Sequence, residues 1–429
     1  MKTFIHLVIF IALKAFAADD PQISSWFTVN SGNFAQIYRD NSAKATGETE
    51  TTWGNGRNNQ PAPAYCGVQE VLSSANWIYV RSTGLGSQVM GPWLNGRFPN
   101  LPTDQHFIFC IPRHPTVQAD TRFNPLGEIG MTVDGVRMFD STDAFSYSHQ
   151  YGRDADPRAG IGQGDHVWNR DAFANEARTF DASYAHQQNW GRYHYHAEPI
   201  ALRYMLGDHV DFDATTKTYH ESSAAPVKHS PILGWMQDGY PIYGPYGYSN
   251  ATNPVSGVRR MVSGFTLRNG ENGVDNIAQS GRNTLPAWEA REHHRTATLQ
   301  DSQTGPNVSA AYPLGHYIED YAYLGDCGKV LGRDFDLDEL NGRWCVTPEF
   351  PNGTYAYFTT IDEKGIPVYP YSMGRRYHGN PVGRLVRSIN EPVVTNFVNQ
   401  ANASLLAAVP AAKTTSLTWD AARGGYEGK

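Results

Sequence analysis

The sequence predicts a mainly β protein, an internally duplicated β-sandwich or barrel-like core with a few short helical insertions. Three observations predict it. Gly (41), Pro (26) and Tyr (24) are abundant in the 429 residues, which is the composition of short strands joined by many turns. Two stretches carry the same hairpin signature, LGEIGMTVDGVRMFD and ILGWMQDGYPIYG, each turning at Asp-Gly (Asp134-Gly135 and Asp238-Gly239). Helical periodicity is confined to WNRDAFANEARTFD (Trp168 to Asp181) and LPAWEAREHHRTATLQ (Leu285 to Gln300).

Taken in chain order, residues 1–17 have a basic start at Lys2, an apolar stretch from Phe4 to Leu13, and Ala15 and Ala17 in A-x-A spacing. This predicts a secretory signal, too short to span a bilayer. Its removal takes away Lys2 and Lys14 and no acid, so the formal charge moves from −7 to −9. The expected location is therefore periplasmic or extracellular, with no membrane span after signal removal. An acidic surface with no Lys/Arg run excludes nucleic acid as a partner.

Residues 18–120 form an N-terminal β segment, with strand-like runs NWIYVRS (Asn76 to Ser82) and HFIFCIP (His106 to Pro112). Residues 121–384 form the duplicated core, in halves of about 121–225 and 226–384. The hairpins align as Gly130/Gly234, Asp134/Asp238, Gly135/Gly239, Met138/Ile242 and Phe139/Tyr243. A second match follows in the same order: GRYHYHAEP (Gly191 to Pro199) against GTYAYFTT (Gly353 to Thr360), so that Tyr193 and Tyr195 match Tyr355 and Tyr357 while His194 and His196 fall opposite Ala356 and Phe358. Residues 385–429 read as a linker and the stub of a further β module, starting at SLTW.

Four cysteines, Cys66, Cys110, Cys327 and Cys345, form an even set, and export permits disulfides. Three pairings are open; nearness in sequence favours Cys66–Cys110 and Cys327–Cys345.

The chemistry concentrates at Tyr193-His194-Tyr195-His196. On a strand, residues two apart share a face at a separation of about 6.6 Å, so His194 and His196 point one way and the two tyrosines the other. Two imidazoles so placed can close on one cation. A third ligand is sought among His229, His209 and His186, with His229 preferred because it enters the second hairpin where the first has Pro125. Imidazole ligation implies copper or zinc. Tyr193, Tyr195, Asp238, Tyr240 and Tyr243 are candidates to orient ligands or hold substrate. The alternation Asp334, Asp336, Asp338 fails the EF-hand template, with Glu339 where Gly and Cys345 where Glu are required, and reads as a solvated acidic turn. No P-loop, dinucleotide fingerprint, G-x-S-x-G or H-E-x-x-H is present, so no nucleotide cofactor is expected.

The ordered set YHYHAEPIALRYMLGDHVDF, KHSPILGWMQDGYPIYGPYGYSN, YPLGHYIEDY and LDELNGRWCVTPEFPNGTYAYFTT resembles the YHYH-domain family of exported bacterial proteins, over roughly residues 50–380. The resemblance implies a family marked by its motif and carries no established activity. Many members resemble the pattern GTYHYH at the second position too; here that copy reads GTYAYF. Two functions are open. One is an exported metal-dependent enzyme with His194, His196 and His229 holding copper or zinc; the other is a non-catalytic cell-surface or matrix module binding glycan, protein or a small molecule, its histidines structural.

Overall fold

Two sheets carry the fold of the computed structural model, which describes residues 20–117, 126–156, 160–293 and 295–404 together with the backbone of 417–420 and 425–428. The predicted signal, residues 1–17, lies outside the described residues. The larger sheet has eight strands: β1 (Glu128–Thr132), β2 (Arg137–Phe139), β3 (Ala185–Gln187), β4 (Tyr193–Tyr195), β5 (Ile232–Met236), β6 (Pro241–Tyr243), β7 (Gly342–Cys345) and β8 (Thr354–Phe358). Their order across the sheet is β3-β4-β2-β1-β5-β6-β8-β7.

That order reads alike from either edge. The two central strands, β1 and β5, run antiparallel with Met131 opposite Trp235, flanked by Thr132 opposite Gly234 and Gly130 opposite Met236. Outward on each side comes the Asp-Gly hairpin, then a parallel partner that pairs Met138 with Tyr195 in one half and Ile242 with Tyr357 in the other. The outermost pair is antiparallel in both halves, with His186 opposite His194 and Arg343 opposite Ala356. Positions aligned in the sequence thus occupy corresponding places in the sheet.

The second sheet has five strands. Its centre is Val68–Ser73, Trp77–Ser82 and Phe107–Pro112, from the expected N-terminal β segment. Its edges are Arg384–Val386 and Val394–Val398, pairing with Phe107–Pro112 and Val68–Ser73 respectively. The stretch from 385, expected as a linker, therefore closes this sheet as far as Val398, because the two outer strands of the N-terminal meander would otherwise present unpaired backbone. Beyond it, Leu417–Asp420 pairs with Gly425–Gly428 as a short hairpin.

The sheets share one apolar core. Val71, Ile78, Val80, Phe107 and Phe109 of the five-stranded sheet pack in one cluster with Met131, Ile232, Trp235, Ala356 and Phe358 of the other, the arrangement that buries one face of each sheet. The helices are shorter than their sequence patterns. The first is confined to Ala172–Glu176 with a single 3-10 turn behind it, because Asp171 caps its start through Ala174 N (2.9 Å) and Asn169–Asp171 before it pairs as a strand with Thr142–Ser148. The second spans Ala287–Glu292. No helix among the described residues is long and apolar enough to cross a membrane.

The expected disulfides are absent: all four cysteines are free thiols. Cys66, Cys110 and Cys345 lie in three different apolar clusters, and Cys327 ends a partly exposed 3-10 turn. Nearness along the chain does not bring them together across the sheets, and the buried three behave as small apolar side chains. The acidic run 333–344 is likewise not a solvated turn throughout. Asp336 is buried against Arg259 (2.5 Å), and Asp338 accepts the Tyr355 hydroxyl (2.9 Å).

Tyrosines recur as donors to buried acids: Tyr193 to Asp181 (2.8 Å) and Tyr357 to Asp238 (2.7 Å) from the sheet, and Tyr371 to Asp171 (2.7 Å) from a turn beyond it. Burial pushes the Asp238 carboxyl from 3.8 up to about 6, against the hydrogen bonds from Tyr357 and Gly379. Folded protein therefore holds this proton to higher pH than unfolded chain, and the stability it contributes at low pH is lost as pH rises through about 6. The unfolding free energy of wild type relative to Asp238→Asn is expected to fall by up to about 3 kcal/mol between about pH 4 and pH 7, at about 1.4 kcal/mol per pKa unit. Urea unfolding of both proteins across that range checks it; a flat difference would contradict it.

Candidate metal centre

The cluster begins with one hairpin. β3 and β4 are joined by Gln188–Arg192, where Gln188 N bonds Arg192 O (3.3 Å) and Gly191 N bonds Gln188 O (2.9 Å). Gly191 has φ +73°, and a Cβ there would stand 2.5 Å from Thr103 Oγ1 and 2.9 Å from Leu101 O, so only glycine closes this turn against its neighbour. The register it sets puts His186 directly opposite His194. Strand alternation then adds His196 to the same face. Tyr193 and Tyr195 point to the other face, where Gln88 Nε2 donates to both hydroxyls (3.0 and 3.1 Å) among Trp53, Trp93 and Ala185.

The three imidazoles are buried, at 6%, 2% and 5% exposure, and their Nε2 atoms converge: His186 to His194 is 3.1 Å and His194 to His196 is 3.1 Å. The other ring nitrogens fix what those atoms carry. His194 Nδ1 lies 2.8 Å from Arg192 O and His196 Nδ1 lies 2.7 Å from Asp140 O. A carbonyl only accepts, so both Nδ1 atoms bear the proton and both Nε2 atoms bear a lone pair. His186 Nδ1 lies 2.7 Å from Thr179 Oγ1, whose own hydroxyl donates to Glu176 O (2.6 Å), which makes His186 Nδ1 a donor as well. Were Thr179 to turn its hydroxyl to His186, the His194–His196 contact would still set lone pair against lone pair. Such an arrangement is repulsive unless a cation sits among the nitrogens. Nitrogens bound to one metal at roughly 2.0–2.1 Å in a tetrahedral arrangement lie roughly 3.3 Å apart, close to the spacing here.

Burial and the adjacent imidazoles hold His186 and His194 well below the usual imidazole range, and burial also lowers His196. The three are neutral near pH 7, the state in which imidazole binds metal. On their open side stands Glu176, with Oε2 3.3 Å from His196 Nε2 and 3.5 Å from His186 Nε2. Burial pushes its carboxyl up to about 7 against the pull of Arg170. Arg170 also pairs with Asp143 (2.7 Å), whose carboxyl burial raises to about 8. Phe139 stacks on His194 at 4.0 Å, and Phe180 meets His186 edge-on at 4.9 Å. All three histidines line a cleft of about 580 Å³ together with Phe139, Glu176 and Asp143.

His194 and His196 are thus brought together as expected, but the third imidazole is His186. His229 lies apart, packed against Tyr243 and Tyr248 at 5.0 and 4.9 Å, its Nδ1 2.8 Å from Ser230 O. It lines a separate cavity with His209. The register explains the correction: the cross-strand neighbour of His194 is set by the hairpin that immediately precedes it, whereas His229 belongs to the approach to β5, in the other half of the sheet. The candidate residues Tyr193 and Tyr195 face away from the cluster, Asp238 ties Tyr357 to Gly379 N (2.9 Å), Tyr240 packs on Tyr355 and His378, and Tyr243 donates to Glu349 (2.8 Å). None of these five contacts the three imidazoles. Glu176 and Phe139 are the residues that sequence reasoning missed. The eight-residue spacing of His186 and His194 about a Trp-Gly turn is the signal that identifies the third imidazole of the cluster. In the second half the corresponding positions hold Arg343, Ala356 and Phe358, so the strand pair forms without any imidazole.

Among known proteins, the family model described as YHYH protein matches residues 108–369. No curated protein and no solved structure matches the chain.

Proposed function

The chain belongs to the YHYH protein family, and from its motif histidines we propose that the protein is an exported metalloprotein holding copper or zinc through His186, His194 and His196. The observation that carries this reading is the convergence of Nε2 lone pairs at 3.1 Å, with Nδ1 protons committed to Arg192 O and Asp140 O. Those carbonyl partners fix the tautomers and ring orientations in the way that outer partners of metal-bound histidines do. Three protein ligands beside a cleft are the pattern of a catalytic site, since a structural zinc is closed by four. We therefore infer a metal-dependent enzyme. A metal held by the three imidazoles would supply Lewis acidity at the mouth of the cleft. Glu176, with its carboxyl raised to about 7 beside His186 and His196, is placed to accept or return a proton there, and Arg170 lies against Asp143 (2.7 Å).

A purely structural role for the histidines is disfavoured by the same protons. It would require His194 or His196 to carry hydrogen on Nε2, turning a bare Nδ1 onto a carbonyl oxygen at 2.7–2.8 Å, a contact that costs more than the hydrogen bond gained. Export is supported by the signal-like residues 1–17. Elemental analysis of the mature protein, beside a folded His194→Ala/His196→Ala variant, tests the reading. Near-stoichiometric copper or zinc, lost in the variant, is expected; equal and negligible metal in both would refute it.

A further inference from the structure

The turn that sets the histidine register also brings a cation to the same cleft. Gln188 N bonds Arg192 O (3.3 Å), so the pairing of β3 with β4 runs one step past both strands. By alternation Arg192 shares the face of His194 and His196, and Gln188 shares that of His186. Both side chains line the cleft beside the imidazoles, and both are half-buried. Among the described residues neither side chain has a hydrogen bond or an ion pair. Arg192 Nε is covered, whereas the two terminal nitrogens of its guanidinium remain open to the cleft. Two acids of the lining already have cations of their own, Glu128 in Arg137 and Asp143 in Arg170 (2.7 Å). Arg192 is thus the one Arg or Lys among the residues lining this cleft, and its charge is unanswered by any described carboxylate.

Resting on the metal reading above, we propose that the substrate of this centre carries a carboxylate, held by Arg192 and Gln188, on an aromatic body. The terminal nitrogens of a guanidinium match a carboxylate with two parallel hydrogen bonds, and a carboxamide beside them supplies a further donor. A phosphate dianion asks for more charge than one guanidinium brings, and the lining holds no second Arg and no Lys. Three neutral imidazoles would also leave the charge of a held cation uncompensated, which together with Arg192 makes the cleft attractive to an anion. The remaining lining describes the body of the molecule. Phe98, Phe139 and Phe145 present half-buried rings, and Leu126 is exposed beside them, a surface on which a flat ring packs. Along the strand Arg192 and His194 stand about 6.6 Å apart, so a ring whose carboxylate sits on the guanidinium reaches the imidazoles with its far side.

The test is calorimetric titration of the metal-loaded mature protein with benzoate, its neutral analogue benzamide, and phenyl phosphate. It is repeated on Arg192→Gln and Gln188→Ala, with metal content measured on every sample. Expected is millimolar or tighter binding of benzoate, about tenfold or more tighter than benzamide. Arg192→Gln should weaken benzoate about 10–100-fold and Gln188→Ala about threefold to tenfold, the losses of a charge-assisted and a single hydrogen bond, while benzamide binding and metal content stay unchanged. The two variants are independent, so a folding failure in one leaves the other to decide. Failure of benzoate to bind, equal binding of benzoate and benzamide, benzoate binding that neither variant weakens, or phenyl phosphate binding tighter than benzoate would each overturn the carboxylate assignment while leaving the metal centre standing. Absence of metal from the wild type, with Arg192-dependent benzoate binding intact, would instead remove the metal centre and leave the carboxylate site.

Discussion

His186→Ala is expected to release the metal, and His229→Ala to retain it. The first removes one of three converging Nε2 atoms, the one placed opposite His194 by the hairpin register. The second removes an imidazole that packs on Tyr243 and Tyr248 at the other side of the sheet. Loss of an outer-shell partner costs about 10–100-fold in metal affinity, so loss of a direct ligand from a three-imidazole set should cost more, enough to strip copper or zinc during desalting against a mild chelator. Because the rings are neutral in the folded protein, the change is one of ligation and leaves the net charge of the cluster unaltered. The check is metal stoichiometry after desalting, with folding monitored by circular dichroism. Retention of metal by His186→Ala together with its loss from His229→Ala would reverse the assignment.

Arg203→Met is expected to be the most damaging single change away from the cluster. Four residues beyond the motif's partner Pro199, Arg203 is fully buried and holds three carboxylates: Asp208 at 2.6 Å, Glu198 at 2.5 Å, and Glu221, which it grips in a still shorter contact. The network joins the exit of β4 to the short helix Ile200–Met205 and the hairpin Val210–Asp213/Thr218–Glu221. Removing the cation leaves Glu198, itself fully buried, beside two further acids with no compensating charge. Such a broken buried pair costs about 3–5 kcal/mol, against a total stability of about 5–15 kcal/mol for a typical domain. Replacing Glu198 with Leu in the same chain should recover part of the loss, since an apolar pair needs no counter-charge. Thermal and urea unfolding of the single and double variants measure this; an Arg203→Met protein within about 1 kcal/mol of wild type would mean the acids are already uncharged or solvated.

The features legible in the sequence were those set by local geometry. Strand alternation placed His194 and His196 on one face without any knowledge of neighbours, and the two Asp-Gly hairpins pointed to strand units that the sheet arranges in corresponding places. What depended on pairing across the chain was harder to read. His186 stands eight residues from His194, but only the hairpin register makes it a partner, while His229 has the stronger motif beside it and lies in the other half of the sheet. The cysteines failed for the same reason, since being neighbours in sequence says nothing about which apolar cluster each strand enters. Arg384–Val386 and Val394–Val398 carry no strong alternation, being edge strands with mostly half-buried or exposed residues, and only the unpaired edges of the meander call for them. Glu176 was hidden inside a helical pattern whose start is cut short by the Asp171 cap.

The most direct test of the account is diffraction from crystals of the metal-loaded protein at the copper and zinc absorption edges. A single anomalous peak is expected roughly 2.0–2.1 Å from the Nε2 atoms of His186, His194 and His196, on the side facing Glu176. A peak at His229, or none near the three histidines in fully loaded crystals, would contradict it.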